Sequence, residues 1–188
     1  GVGLVASTEG LKSRKVVEYG IEALKAVWHR GAIDADGKTG DGAGIHIEIP
    51  NDFFAEKIEI TGHEHDNSDL CVGMIFLPRN DFGGQEQCRS IVESELTKKN
   101  FNIYGWRQVP VDPSVLGEKA EQTRPEITQV LFTHNDKSIH GKDLERALYE
   151  TRRKIEKEAL RNQLNNFYIC SFSSKSIIYK GMFLAESL

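Results

Sequence analysis

Apolar residues change their period several times along this chain, and each change marks an element. Val16, Val17, Ile21, Leu24 and Val27 recur every three or four positions, the spacing that gathers side chains on one face of a helix. That pattern predicts an amphipathic helix over residues 13–28, with His29 in its last turn and Gly31 placed to end it in the left-handed conformation. Before the helix, the apolar residues 2–6 predict a short strand. After it, Ile45, Ile47 and Ile49 alternate with His46 and Glu48, the period of a half-buried strand, which Pro50 stops. Residues 59–69 turn polar and read as a loop carrying His63, His65 and Asn67.

Beyond that loop the predicted order becomes specific. A strand over 71–77 is followed by a helix over 84–99 with Cys88, Ile91, Val92 and Leu96 inward. Strands over 101–111 and 127–133 come next. A long charged helix over 142–162 carries Leu144, Leu148, Ile155 and Leu160, and a strand follows over 167–172. This is β-α-β-β-α-β, the split order of a ferredoxin-like subdomain. Ser173, Ser174 and Lys175 then turn the chain into a last strand over 176–180. Residues 183–188 follow without a cap or closing helix, and the first residue is Gly1 with no initiator Met or leader. The chain is therefore expected to be a piece of a longer protein.

Composition narrows the classes. At 188 residues the chain supports one hydrophobic centre or part of a larger one. Its net charge is −4 with both signs interspersed, so no basic stripe exists to bind nucleic acid by counterion release. No apolar run approaches the roughly 20 residues that span a bilayer, and a soluble protein without a membrane partner is expected. The three cysteines, Cys71, Cys88 and Cys170, are odd in number and lack metal spacing. They fit a reducing compartment better than a disulfide scaffold and read as small core residues.

Two stretches invite chemistry and fall short of it. In Gly40-Asp41-Gly42-Ala43-Gly44 the glycines would let backbone amides converge on an anion. The run lacks the spacing of a phosphate loop, however, and leads into a predicted strand where a dinucleotide site needs a helix. Its glycines read as a tight turn packed closely beside the N-terminal strand. His63, His65, Asp66 and Asp69 offer no thiolate and lie in a polar segment, so no metal site is expected.

A series of phrases in order along nearly the whole chain carries a resemblance. They are Gly1-Val2-Gly3-Leu4-Val5-Ala6, His29-Arg30-Gly31-Ala32, and Thr39-Gly40-Asp41-Gly42-Ala43-Gly44-Ile45. Gly105-Trp106-Arg107-Gln108-Val109-Pro110-Val111, Leu116-Gly117 and Pro125-Glu126-Ile127-Thr128-Gln129-Val130 continue it. Phe167-Tyr168-Ile169-Cys170-Ser171 and Tyr179-Lys180-Gly181-Met182 close it. Together they resemble the glutamine amidotransferase domain of glutamate synthases, a class II, N-terminal-nucleophile hydrolase. The resemblance implies an α+β fold, part of an αββα sandwich with a ferredoxin-like insertion. Residues 1–50 would be the N-terminal part of the sandwich, 51–173 the family-specific insertion, and 174–188 a truncated return strand.

The same resemblance implies chemistry. In the family a cysteine stands immediately before Gly-Val-Gly; its thiol attacks the side-chain amide of glutamine while its own α-amine accepts and returns the proton. Only a terminal residue owns such an amine. Gly1 has the amine without a thiol, and Cys71, Cys88, Cys170, Ser7 and Thr8 are internal, so no catalytic residue is present and the chain as it stands is expected to be inactive. The oxyanion Asn-Gly and the groups that grip glutamine belong to a later segment of the family. Arg30 and Gly31 are the residues carried over, as lining of the substrate pocket; the plain alternative for Arg30 is a helix-end cation neutralising the last carbonyls. His29 is read as structural.

By resemblance the parent is a glutamate synthase, an oxidoreductase that hydrolyses glutamine and passes ammonia to 2-oxoglutarate. No cofactor is expected in this stretch; FMN and an iron–sulfur cluster would belong to later domains. Implied partners are glutamine, the later synthase domains of the same polypeptide, and an electron-donor subunit or ferredoxin. The expected location is the cytoplasm, or the plastid in a photosynthetic eukaryote. Two other readings are a degenerate, non-catalytic module for binding or assembly, and an unrelated α+β interaction domain. The residue just upstream of Gly1 separates the enzyme from the degenerate module.

Overall fold

A computed structural model describes residues 1–64 and 69–188, the side chain of Arg30 excepted. In chain order the elements are α1 (Arg14–Ala26), β1 (Ala43–Glu48), α2 (Asn51–Ile60), β2 (Cys71–Leu77), α3 (Phe82–Lys98), β3 (Phe101–Gln108), α4 (Glu118–Gln122), β4 (Glu126–His134), α5 (Gly141–Arg161), β5 (Tyr168–Ser173) and β6 (Ser176–Gly181). One-turn 3-10 helices lie at Trp28–Arg30, Pro113–Val115 and Ala185–Ser187. The chain is α+β, as the resemblance implies. It divides into two compact units, one of residues 1–47, 111–124 and 178–188, the other of residues 48–110 and 125–177.

In the first unit, Ser13 caps α1 by accepting the Lys15 N–H at 3.2 Å, which satisfies one of the amides a helix start leaves open. The stripe of Val16, Val17, Ile21 and Leu24 is half-buried. The helix ends at Val27, whose N–H reaches the Leu24 carbonyl, and the separate 3-10 turn holds His29 edge-on to Trp28. Gly31 therefore does not end α1 in the left-handed region; it follows the short turn with φ −87° and ψ 146°, extended backbone open to any residue. The strand expected over residues 2–6 is also absent. Those residues form no ladder, and Val2 and Leu4 are fully exposed. Apolar content alone does not make a strand, because its amides and carbonyls must be paired by a neighbour. The two-stranded sheet here pairs β1 with β6 and takes in no third strand.

The second unit is built on a four-stranded sheet of order β3-β4-β2-β5, antiparallel throughout. With α3 between β2 and β3 and α5 between β4 and β5, this is the ferredoxin-like order. One continuous core joins Cys71, Ile75 and Leu77 of β2 to Val130 and Phe132 of β4, Val92 and Leu96 of α3, and Leu144, Leu148 and Ile155 of α5. Strand β2 is buried at all but one position, which explains its unbroken apolar sequence. Leu160, expected inward, is 74% exposed. The inward stripe of α5 runs through Leu144, Leu148, Thr151, Ile155 and Ala159, and Leu160 lies one step of about 100° beyond it.

Two further differences have local causes. Strand β3 ends at Gln108 rather than 111, since Pro110 has no N–H to continue a ladder. Helix α2 fills residues 51–58, for which the sequence predicted no element, and runs into the expected loop from 59; it buries Phe54 and Ile58 completely, four residues apart. At the boundary of the unit, the Ile49 N–H donates to the Lys175 carbonyl at 3.0 Å. The turn beside Lys175 is braced by Glu145, whose carboxylate accepts the Ser174 N–H and Ser174 hydroxyl, both at 2.8 Å, and the Ser173 hydroxyl at 3.0 Å.

Candidate functional site

Between α1 and β1 the first unit folds residues 32–41 into a hairpin. Ile33 bridges Gly40 in antiparallel fashion, the Asp34 N–H donates to the Thr39 carbonyl at 2.9 Å, and the Asp41 N–H donates to the Ala32 carbonyl at 3.2 Å. Asp36 organises the tip. One of its carboxylate oxygens accepts the Lys38 and Thr39 amides at 2.9 and 2.7 Å, and the other accepts the Thr39 hydroxyl at 2.5 Å. A carboxylate holding several donors resists protonation. The hydroxyl and amide of Thr39, joined by the amides of Lys38 and Glu118, hold the Asp36 carboxyl down to about 2.

The Glu118 amide belongs to the first turn of α4, so the tip of the hairpin is seated on residues 117–119. Lys119 Nζ lies 2.6 Å from Asp34 Oδ2; that contact lowers the Asp34 carboxyl and raises the Lys119 ammonium. Gly117 makes the seat possible. A Cβ there would stand 2.2 Å from both Asp36 Oδ2 and Thr39 Oγ1, far inside van der Waals contact.

At its other end the hairpin opens onto a cavity of about 120 Å³. Gly1, Trp28, Gly31, the Gly40–Ala43 turn and Leu184 contribute to its wall. Gly31 faces Asp41, whose Oδ1 would lie 3.3 Å from a Cβ at that position. The glycines of the turn serve close approach. A Cβ at Gly40 would be 2.8 Å from the Phe183 carbonyl oxygen, and one at Gly44 2.7 Å from that of Tyr179. Their neighbour is thus the segment 179–183, not an N-terminal strand, and the run leads into β1.

Of the residues singled out in the sequence, Gly31 lines the cavity directly. Arg30 precedes it as the last residue of the 3-10 turn, and its side chain lies outside the described residues. Asp41 and Trp28 were passed over in the sequence although both border the cavity; Asp36, Gly117 and Lys119 were not singled out for this role either. A signal for Asp36 was available, since Asp-Gly-Lys-Thr between apolar residues is Asx-turn chemistry.

The three cysteines are buried in the second unit. Burial pushes the Cys71 thiol far up and the Cys88 thiol up to about 11, so neither favours the thiolate. Ser7 is engaged in a turn, where its hydroxyl accepts the Glu9 and Leu11 amides at 3.3 Å. His63 Nδ1 lies 3.0 Å from Thr61 Oγ1, while His65 and Asp66 lie outside the described residues. Among the described residues no three His, Cys, Asp or Glu side chains group to hold a metal, and no helix is long and apolar enough to cross a membrane.

Comparison with known proteins agrees with the phrases read along the chain. The family model for class II glutamine amidotransferases matches residues 1–188. The chain is 55% identical over 188 residues to the glutamate synthase (NADPH) large chain of Azospirillum brasilense, covering all of this chain and 12% of that protein. It is 37% identical over 183 residues to ferredoxin-dependent glutamate synthase 2 of Synechocystis, covering 97% of this chain and 11% of the relative. With ferredoxin-dependent glutamate synthase 1 of Arabidopsis thaliana, chloroplastic/mitochondrial, identity is 38% over 192 residues, covering 100% and 12%. The chain thus spans about one eighth of the length of these relatives.

Proposed function

Because the chain belongs to the class II glutamine amidotransferases, we propose that it is the N-terminal part of the glutaminase domain of a glutamate synthase. The parent enzyme hydrolyses glutamine and passes the ammonia to 2-oxoglutarate to make glutamate. The observation that carries this reading is the position of Gly1. It lines the cavity together with Gly31 and the Gly40–Ala43 turn, and consecutive Cα atoms are only 3.80 Å apart. A residue joined to the Gly1 nitrogen therefore stands at that cavity.

In this reading the preceding residue is the nucleophilic cysteine. Its thiol adds to the carboxamide carbon of glutamine, its free α-amine takes the thiol proton, and that proton leaves with ammonia as the thioester forms. Water then attacks the thioester and releases glutamate. Arg30 and Gly31 form the substrate pocket, supported by the cavity position of Gly31 and the adjacency of Arg30. Asp41, on the facing wall, adds a carboxylate to the same enclosure.

Residues 1–50 and 174–188 belong to the amidotransferase sandwich and residues 51–173 to the ferredoxin-like insertion; the pairing of β1 with β6 supports that division, although residues 111–124 pack with residues 1–47. FMN and the iron–sulfur cluster belong to later domains of the parent. Reducing equivalents come from an electron-donor subunit or ferredoxin, the relatives being named for NADPH and for ferredoxin. The protein acts in the cytoplasm, or in the plastid if its source is a photosynthetic eukaryote.

The test is the mature N-terminus of the parent polypeptide together with its glutamine hydrolysis. We expect a cysteine before Gly1, and complete loss of ammonia release from glutamine when that cysteine is replaced by alanine. Any other residue at that position, or unchanged hydrolysis in the variant, overturns the assignment and favours a non-catalytic module.

A further inference from the structure

The hairpin of residues 32–41 is held at two places. Its base is pinned where Gly40 meets the backbone at Phe183, and its tip where Asp36 and Asp34 meet residues 117–119. The second contact involves a segment with an unusual route. Residues 111–124 run between β3 and β4, two strands that are neighbours in the second unit's sheet, yet they belong to the first unit. An adjacent antiparallel pair needs only a short turn. Here the connection is 17 residues long, from 109 to 125, and carries a 3-10 turn and α4. Most connections in compact domains are about 4–6 residues long, so this one is built for more than joining its strands.

What this one does locally is specific. Gly117 brings backbone where any side chain would strike Asp36 and Thr39. The Glu118 amide helps to hold the Asp36 carboxyl down, and Lys119 pairs with Asp34 at 2.6 Å. Three consecutive residues of the connection thus engage three residues of one hairpin tip. Rungs then transmit the position of the tip to its base, from Asp34 and Thr39 to Ile33 and Gly40, and on to Ala32 and Asp41. The residues at the last rungs, Ala32, Ile33, Gly40 and Asp41, line the cavity.

We propose that the β3–β4 connection is a positioning element for the glutaminase pocket, with Gly117 and Asp36 as its positioning residues: the contact at the hairpin tip sets where Gly31 and Asp41 stand. The assignment of the pocket to glutamine rests on the function proposed above; the mechanical link does not.

The experiment uses the full-length parent enzyme with Gly117→Ala, Asp36→Ala and Asp36→Asn. Amide hydrogen exchange at Asp34, Thr39 and Asp41 reports the hairpin, and steady-state synthesis with glutamine or with ammonium chloride as nitrogen donor reports the pocket. Ammonium bypasses the glutaminase step. We expect at least tenfold faster exchange at all three amides in Gly117→Ala and Asp36→Ala. Glutamine-dependent kcat/KM should fall at least tenfold, with ammonium-dependent turnover within twofold of the parent. Asp36→Asn keeps an acceptor oxygen and should recover part of both losses.

Exchange unchanged by Gly117→Ala overturns the mechanical link. Faster exchange with glutamine kcat/KM unchanged overturns the claim that the contact positions the pocket, as does an equal fall in the glutamine and ammonium rates. A parent enzyme that makes glutamate from ammonium but never from glutamine refutes the function proposed above instead, and the exchange result still decides the link.

Discussion

Replacing Leu148 by alanine tests the core of the ferredoxin-like unit at a fully enclosed point. Leu148 is completely buried on α5, in the cluster that includes Leu144, Ile155, Val92 and Phe132. Three buried carbon atoms are lost, worth about 2–2.5 kcal/mol at about 0.8 kcal/mol per methylene. The unfilled space raises the cost, and comparable leucines lose about 2.7–5.0 kcal/mol; about 3.5 kcal/mol is expected here. With a urea slope of about 1.5–2 kcal/mol per molar, the midpoint of unfolding should fall by about 2 M. The two tryptophans fall one in each unit, Trp28 and Trp106, so Trp106 emission in a Trp28→Phe background follows this unit. Leu160→Ala is the control on the same helix. Its side chain is 74% exposed, and its midpoint should move by less than about 0.5 kcal/mol equivalent. Equal shifts for the two variants would refute the burial argument, because both make the same change in helix propensity and differ only in what surrounds the side chain.

Two other outcomes follow from particular contacts. The Asp36 carboxyl is held down to about 2 from an ordinary 3.8, so its folded form is favoured above that ordinary value, and the advantage disappears as pH falls from 3.8 through 2. Hydrogen exchange of the Thr39 amide, corrected for intrinsic rate, should be level from pH 7 to 5 and rise through that lower window in the parent, with no such rise in Asp36→Asn; identical profiles in the two proteins would show that the carboxylate is not the anchor. Amides of β2 and β4, in the middle of the sheet, should exchange far more slowly than those of α1, which buries no residue completely, and equal protection in the isolated chain would contradict this.

The ferredoxin-like unit was legible because its signals are redundant. Residues 71–77 form β2 as predicted, since a strand covered on both faces writes itself as an apolar run, and α3 and α5 carry several turns of consistent period. Leu160 was misplaced because a leucine outweighed Thr151 and Ala159, which hold the true stripe by position rather than hydrophobicity. Helix α2 was missed because only Phe54 and Ile58 are buried, too few to establish a period, while Phe53 and Ile60 are apolar but exposed, and Pro50 read as the end of a strand when it also begins a helix. Helix α4 has five residues and no period to find. At the site, Gly31 could be named from a motif, but Asp36 and Gly117 are 81 positions apart. Nothing local in either residue announces the other. The strand foreseen over residues 2–6 shows the same limit in reverse, since local composition was right for a strand and no partner supplied the ladder.

The hydrogen bond from the Ile49 amide to the Lys175 carbonyl has a bearing on ancestry. The polypeptide leaves β1 and rejoins β6 through points that touch, so about 125 residues of chain add almost nothing to the span that β1 and β6 must bridge. A gene could acquire or shed such a passenger without moving either strand, as happens where termini of an inserted domain adjoin. Residues 111–124 break that independence. Deleting the passenger would also delete the seat beneath the hairpin tip, so a lineage that shed it would have to find another way to hold Asp36, and shorter descendants should carry changes at residues 34–39.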